Sequence, residues 1–153
     1  MKYILLALCF SGFAARTQAQ DSAKTIKAVL DAKQYTFVPL NITTGSGRLR
    51  QLTPDYFFKI NGDTLKTYLP YFGRAYTAPI NPSDAGFNFT TTDFIYTTSK
   101  GKRNSYIINV KTKDKVYNTE FTLTIYDNGN AYLRANSSNK QPVSYTGNVK
   151  ENE

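Results

Sequence analysis

Apolar and polar residues alternate with a period of two along most of the chain after residue 34. This period is typical of strands with one buried face, because successive side chains of a strand point to opposite sides of the sheet. The pattern predicts eight or nine short strands. They cover residues 35–39, 48–52, 56–60, 63–69, 86–90 with a continuation at 94–97, 106–110, 121–125, 131–135 and 143–145.

Two Asn-Gly pairs, Asn61-Gly62 and Asn128-Gly129, connect strands in this series. Asn-Gly is a strong hairpin signal, because both central residues of a type I′ turn need a positive φ. Consecutive hairpins imply antiparallel pairing, since parallel neighbours need long crossovers. The sequence therefore predicts a mainly β fold, an antiparallel meander of about eight strands that forms a curled sheet or a partly closed barrel.

One helix is predicted before the first strand, over residues 22–33. Ser22 is a suitable N-cap, and Ile26, Val29 and Leu30 form an apolar stripe at helical spacing. A helix of three turns is marginal by itself, so we expect the stripe to pack on the sheet or to plug one end of it.

The run Tyr68–Tyr76, here called the aromatic segment, follows the first hairpin. Pro70 must end or bend a strand, and Gly73 permits a positive φ. The rings either fold back into the core or form an exposed surface for recognition, since Tyr and Arg are enriched at binding hot spots. The candidate binding residues are Tyr71, Phe72, Arg74 and Tyr76.

The first 19 residues have the pattern of a secretory signal peptide. A lysine precedes a mostly apolar run that is too short to span a bilayer, and Thr17-Gln18-Ala19 places small residues before a cleavage site. We predict a single domain at 20–150 and a tail at 151–153, without a transmembrane span in the mature chain. Cys9 leaves lipidation open, and its removal with the signal peptide leaves no cysteine for a disulfide.

The mature chain has 17 basic and 11 acidic residues, a net charge of +6. The lysines and arginine at 100–103 and the lysines at 111–115 lie at opposite ends of one predicted strand. They are therefore expected to be solvated turn residues, and nucleic acid is not predicted as a partner.

The chain contains no histidine, which excludes a Ser-His-Asp triad and any histidine metal site. No cofactor and no metal are predicted. Asp127-Asn128-Gly129-Asn130 lacks the remaining ligands of a calcium loop. A hydrolase with two carboxylates remains an alternative, although most acids stand in predicted turns.

Several short runs together resemble one protein family. The resemblance covers most of the mature chain, and the aromatic segment is its most specific part. The runs are Asn61-Gly62-Asp63, Tyr68–Tyr76 with Ala78-Pro79, Gly86–Phe89 with Tyr96, Asn128-Gly129, Asn139-Lys140-Gln141 and Tyr145-Thr146-Gly147.

The family that these runs resemble is called domain of unknown function 4251, made of small exported proteins from Bacteroidetes. The resemblance implies a mainly β domain that is periplasmic, on the cell surface or secreted in a Gram-negative bacterium. It implies no activity.

The sequence thus favours a non-catalytic, exported binding or accessory domain. Its contact surface is expected around Tyr71, Phe72, Arg74 and Tyr76. The partner is an unidentified protein or a small apolar or anionic ligand. The alternatives are the carboxylate hydrolase and a structural component of the envelope.

Overall fold

The computed structural model describes residues 26–76, 86–113 and 118–152. The predicted signal peptide, Cys9, the proposed N-cap Ser22 and the distal part of the loop after the aromatic segment lie outside these ranges. Over the described ranges no helix has both the length and the apolar character needed to cross a membrane.

Ten antiparallel strands run through the described ranges, and they confirm the predicted mainly β fold. They form one curled sheet, a half-barrel, in the order β5-β4-β3-β1-β10-β9-β8-β7-β6, with β2 beside β1. The strands are β1 (Gln34–Thr43), β2 (Leu49–Gln51), β3 (Phe57–Asn61), β4 (Thr64–Leu69), β5 (Phe87–Thr91), β6 (Phe94–Lys100), β7 (Ser105–Thr112), β8 (Thr119–Tyr126), β9 (Asn130–Ser137) and β10 (Lys140–Glu151).

The two edge strands, β5 and β6, are consecutive in the chain, which explains the curl. Only Thr92 and Asp93 separate the end of β5 from the start of β6. Three residue steps span at most about 11 Å, so Thr91 and Phe94 must lie within that distance although they belong to opposite edges. A flat sheet of nine strands cannot satisfy this condition, and a curled one can.

Strand β1 lies in the interior of the sheet, between β3 and β10, and pairs with both. It is longer than predicted, because residues 41–43 continue the strand where a turn was expected. A bulge between Pro39 and Asn41 shifts the register. Leu40 is exposed at the bulge, while Pro39 and Ile42 are buried. The extra residue therefore lets Ile42 face the core, although Pro39 and Ile42 are three positions apart and not two.

The first hairpin is confirmed, but its turn differs from the predicted type. Asn61 pairs with Thr64, so the loop consists of Gly62 and Asp63. Gly62 has a φ of 59° and Asp63 does not have a positive φ. A glycine with positive φ at the first central position belongs to a type II′ turn, which has the same strand twist as type I′.

The interior of the half-barrel contains one continuous apolar core, and the short helix contributes to it. The described helical residues are 26–31, of which Ile26, Val29 and Leu30 are buried in that core. At the same end of the sheet the hydroxyls of Tyr35 and Tyr96 lie 3.3 Å apart.

The C-terminal residues are paired, contrary to the predicted tail. Glu151 lies opposite Tyr35 in the ladder between β10 and β1. The side chain of Asn152 donates to the carbonyl of Ile60 at 2.7 Å and accepts a hydrogen bond from Thr36. Paired backbone does not fray readily, so the expectation of a free tail is wrong for Glu151 and Asn152; Glu153 lies outside the described residues.

Candidate functional site

The aromatic segment leaves the sheet at Pro70, directly after β4 ends at Leu69. From there its side chains divide into two groups. Tyr71 is half-buried against the core, whereas Phe72 and Tyr76 are exposed, at 44% and 65% of their surface, and Arg74 is exposed as well. The two interpretations of the segment, core plug and recognition surface, therefore apply to different residues.

Tyr71 anchors the segment to the protein. Its hydroxyl donates to the carbonyl of Arg74 at 2.6 Å and also lies 3.2 Å from the carbonyl of Gln141. Its ring meets Phe87 edge to face, with centroids 6.0 Å apart. Burial raises the pKa of the Tyr71 hydroxyl. The hydroxyl therefore acts as a hydrogen-bond donor.

Gly73 is required for a reason that differs from the prediction. Its φ is not among the positive values in this structure. A Cβ at this position would lie 2.6 Å from the hydroxyl of Tyr71. The turn therefore needs a glycine because the tyrosine folds back across it, and not because the backbone is left-handed.

The backbone of the segment also pairs with the turn between β9 and β10. Ala75 and Lys140 form an isolated antiparallel bridge. The amide of Tyr76 donates to the carbonyl of Asn139 at 2.8 Å, and the amide of Gln141 donates to the carbonyl of Arg74 at 3.0 Å. These bonds fix the backbone on either side of Ala75, so the exposed side chains start from a defined position.

Lys140, the first residue of β10, reinforces this contact. Its ammonium group donates to the carbonyl of Gly86 at 2.6 Å. It also lies over two rings, 4.9 Å from the centroid of Phe87 and 5.4 Å from that of Tyr71. An ammonium over a ring face is attracted by the ring quadrupole, so Lys140 holds the anchoring rings together.

The sequence interpretation did not assign Arg50 to this site. Arg50 lies on β2, and its guanidinium is 4.8 Å from the centroid of the Phe72 ring. Arg50 lies opposite Ile42 in the ladder between β2 and β1, so it reaches the aromatic segment from a different part of the sheet. No local signal links Arg50 to Phe72, since only tertiary structure joins them.

The last strand supports the start of the segment. Tyr145 of β10 is fully buried, and its hydroxyl donates to the carbonyl of Pro70 at 2.7 Å. Burial raises the pKa of this hydroxyl. The bond gives a partner to a buried polar group and positions the chain where it leaves β4.

The aromatic segment contains rings, an arginine and hydroxyl groups, but no carboxylate and no thiol. Over the part of the chain that the structure describes, no three His, Cys, Asp or Glu side chains are grouped so as to hold a metal ion. The side chains of the aromatic segment can make apolar contacts and hydrogen bonds. They do not include a base beside a nucleophile, the pair that nucleophilic catalysis needs.

Comparisons with known proteins agree with the predicted family. The family model described as "Domain of unknown function (DUF4251)" matches residues 17–149. A solved DUF4251 family protein from Bacteroides eggerthii is similar in structure, with a TM-score of 0.63 and 16% sequence identity over 88% of this chain and 92% of that chain. At this identity the similarity concerns the fold alone. No curated protein matches the chain.

Proposed function

The chain belongs to the DUF4251 family, and from this premise we propose that it is a non-catalytic, exported binding domain. Its contact surface consists of Phe72, Arg74 and Tyr76, and Tyr71 is the anchor beneath them. The observation that carries the proposal is the combination of a fixed backbone with exposed side chains in one short segment.

This combination lowers the entropic cost of binding. Side chains on a mobile loop lose freedom when they bind, and that loss reduces affinity. Here the bonds on either side of Ala75 have already ordered the backbone. Phe72 and Tyr76 nevertheless remain 44% and 65% exposed. Large exposed rings beside an arginine have the composition of binding hot spots.

The expected ligand group follows from the two arginines. Arg74 presents a planar fork that matches a carboxylate, a phosphate or a backbone carbonyl. Arg50 stacks on Phe72 and adds a second positive charge. An anionic or carbonyl-rich group next to an apolar one therefore fits the surface, on a protein partner or a small ligand.

Photo-crosslinking in cells of the source organism tests the contact surface. A photoactivatable phenylalanine analogue replaces Phe72 in one variant and Ile95, an outward residue of similar exposure at 48%, in a matched control. We expect a discrete adduct at position 72 that the control lacks and that Arg74→Ala removes. Adducts that are the same at both positions, or none at position 72, would overturn the proposal and favour a structural envelope component.

Export is supported by the charged start and the apolar run of the first 19 residues. Cell fractionation followed by N-terminal sequencing tests it. We expect the protein outside the cytoplasm with Gln20 as its first residue. A cytoplasmic protein that keeps Met1 or Lys2 would refute this part of the proposal and leave the contact surface untouched.

A further inference from the structure

The outer face of the sheet, opposite the core, carries a groove of about 480 Å³ that the proposed contact surface does not include. It lies across β4, β3, β1 and the end of β10. This volume is within the usual range of small-ligand sites, about 300–1,000 Å³. The side chains that matter for its chemistry are Lys59, Lys66, Lys150, Thr36, Tyr56 and Phe57.

Three of these side chains form a straight line, here called the lysine row. Lys66 lies directly opposite Lys59 in the ladder between β4 and β3. Thr36 lies opposite Lys59 on one side and opposite Lys150 on the other. The row Lys66, Lys59 and Lys150 thus crosses four neighbouring strands, with one threonine inside it.

Among the described residues, no ion pair neutralises the charges of the lysine row. The ion pairs within the described ranges join Lys27 to Asp31 and Lys113 to Asp93, and neither involves the row. One carboxylate, Glu151, also lines the groove, which leaves an excess of positive charge. Like charges directly opposite each other in a ladder are destabilising. A bound anion would relieve this repulsion.

The spacing of the row indicates several negative charges on one ligand. Neighbouring strands are about 4.8 Å apart, so Lys59 is about 5 Å from Lys66 and about 10 Å from Lys150 at the backbone. A single small anion would contact the whole row only if the three flexible lysine side chains converged on it. A linear molecule with charges at intervals, lying across the strands, can contact all three.

The other walls of the groove restrict the class of ligand. The side chains of Asn61 and Thr64 line it and offer hydrogen bonds to hydroxyl groups. The rings of Tyr56 and Phe57 are half-buried and tilted against Tyr68, with centroids 5.3 and 6.2 Å away. Single-stranded nucleic acid is bound by successive bases stacking on aromatic rings, whereas the rings that line this groove are half-buried.

We propose that the groove binds an acidic oligosaccharide, a chain of sugars that carries carboxylate or sulfate groups. The lysine row pairs with the acidic groups, and the amide and hydroxyl side chains bind sugar hydroxyls. The floor is rigid, because Thr36 donates to Asn152 at 2.6 Å and Asn152 donates to Ile60 at 2.7 Å.

Isothermal titration calorimetry with the full mature chain tests the proposal. The probes are tetragalacturonate for carboxylates, a heparin tetrasaccharide for sulfates and maltotetraose as the neutral control. We expect at least one acidic probe to bind and to weaken as salt rises, while the neutral probe does not bind. Failure of both acidic probes would overturn the proposal. Tighter binding by one of the two distinguishes the carboxylate source from the sulfate source.

A charge-matched pair of variants separates the groove from the net charge of the protein. The groove variant replaces Lys59, Lys66 and Lys150 by Gln, and the control replaces Lys100, Lys102 and Lys111 by Gln. We expect the groove variant to lose about tenfold or more in affinity and the control to change less than about threefold.

Equal losses in the two variants would mean that binding follows net charge, which contradicts a site in the groove. Thermal unfolding of the groove variant identifies a folding defect: we expect an unchanged or higher Tm, because repulsion is removed. Oligothymidylate that binds as tightly as the sugars would overturn the assignment to sugars. Adducts at position 72 do not depend on any of these results, so this proposal and the proposed contact surface fail separately.

Discussion

The hydroxyl of Tyr145 donates to the carbonyl of Pro70 at 2.7 Å, across 75 positions of the chain. Tyr145 lies on the last strand, and Pro70 is the first residue of the aromatic segment after β4. The bond therefore ties the C-terminal strand of the half-barrel to the place where the exposed segment leaves the sheet. Within the described ranges, no buried side-chain nitrogen or oxygen lacks a hydrogen-bond partner, so this bond belongs to a fully satisfied interior.

Tyr145→Phe removes this bond and keeps the ring. We expect the free energy of unfolding to fall by about 0.5–1.5 kcal/mol, the usual net contribution of one intramolecular hydrogen bond. Urea unfolding measures the change. Tyr132→Phe is the control, because its hydroxyl bonds to Ser144 on the exposed face; it should cost less. An equal cost in both variants would contradict a special role of the buried bond.

Stability should decrease at alkaline pH because of Tyr35 and Tyr145. Burial raises the pKa of both hydroxyls in the folded protein, whereas a tyrosine of the unfolded chain titrates near pH 10. Below about pH 10 both states keep the proton, and above it only the unfolded state releases it. The free energy of unfolding should therefore fall by about 1.4 kcal/mol per pH unit for each buried tyrosine.

Urea unfolding between about pH 9 and 11 measures this slope. Tyr145→Phe should make the decrease in the free energy of unfolding smaller by about 1.4 kcal/mol per pH unit, the contribution of one buried tyrosine. A slope that stays the same in the variant would mean that Tyr145 does not contribute to the alkaline loss.

Charge reversal within the lysine row should stabilise the fold. Lys66→Glu places a carboxylate opposite Lys59, and we expect a gain of about 0.2–1 kcal/mol. Lys111 is the matched control, because it lies opposite Glu120. Lys111→Glu should cost a similar amount, and both effects should shrink in high salt. If both substitutions stabilised the fold, or both destabilised it, the charge on the opposite strand would not determine the change in stability at these positions.

Gly147→Ala should destabilise the sheet at the bulge of β1. A Cβ at Gly147 would lie 2.1 Å from the carbonyl oxygen of Val38, and relief requires movement of backbone. We expect a loss of about 1–3 kcal/mol or more, as for an overpacked site. At Gly45 the nearest atom to an added Cβ is 3.5 Å away, so Gly45→Ala should change stability by less than about 0.5 kcal/mol. Thermal unfolding compares the two.

Substitution of the anchor residue Tyr71 should destabilise the protein, whereas substitution of the contact residues Phe72 and Arg74 should not. Phe72→Ala and Arg74→Ala truncate exposed side chains, so each should change the free energy of unfolding by less than about 0.5 kcal/mol. Tyr71→Ala removes a ring packed on Phe87 and the hydroxyl that donates to the carbonyl of Arg74, and it should cost about 2 kcal/mol or more. A large loss of stability in Arg74→Ala would make Arg74 a structural residue.

Much of the fold could be predicted because the strands have one buried face. Phe58 and Ile60 are separated by Lys59 and followed by Asn61, and the glycine of Asn61-Gly62 marks the turn that follows. The strand boundaries that were predicted wrongly share one cause. Residues 41–43 and 151 show no strong local pattern, and they become strand only because β1 and β10 pair with each other. That pairing joins the two ends of the chain, which local periodicity cannot report.

For the candidate site, the segment could be predicted, but the division of roles within it could not. Composition marks Tyr71, Phe72 and Arg74 equally. The curl of the sheet decides that Tyr71 meets Phe87 and that Phe72 faces outward beside Arg50. The lysine row escaped prediction for a related reason, because it exists only in the register between strands.

The sequence by itself determined the alternation of the strands, the positions of the hairpins and the absence of histidine chemistry. These properties depend on residues that are close in the chain, where the pleat and the turn fix geometry locally. The tertiary structure alone decided which rings are anchors, which remain exposed, and that three lysines stand in line. Those relationships depend on strand order and register, which are set when β10 closes on β1 and one apolar interior is buried as a whole.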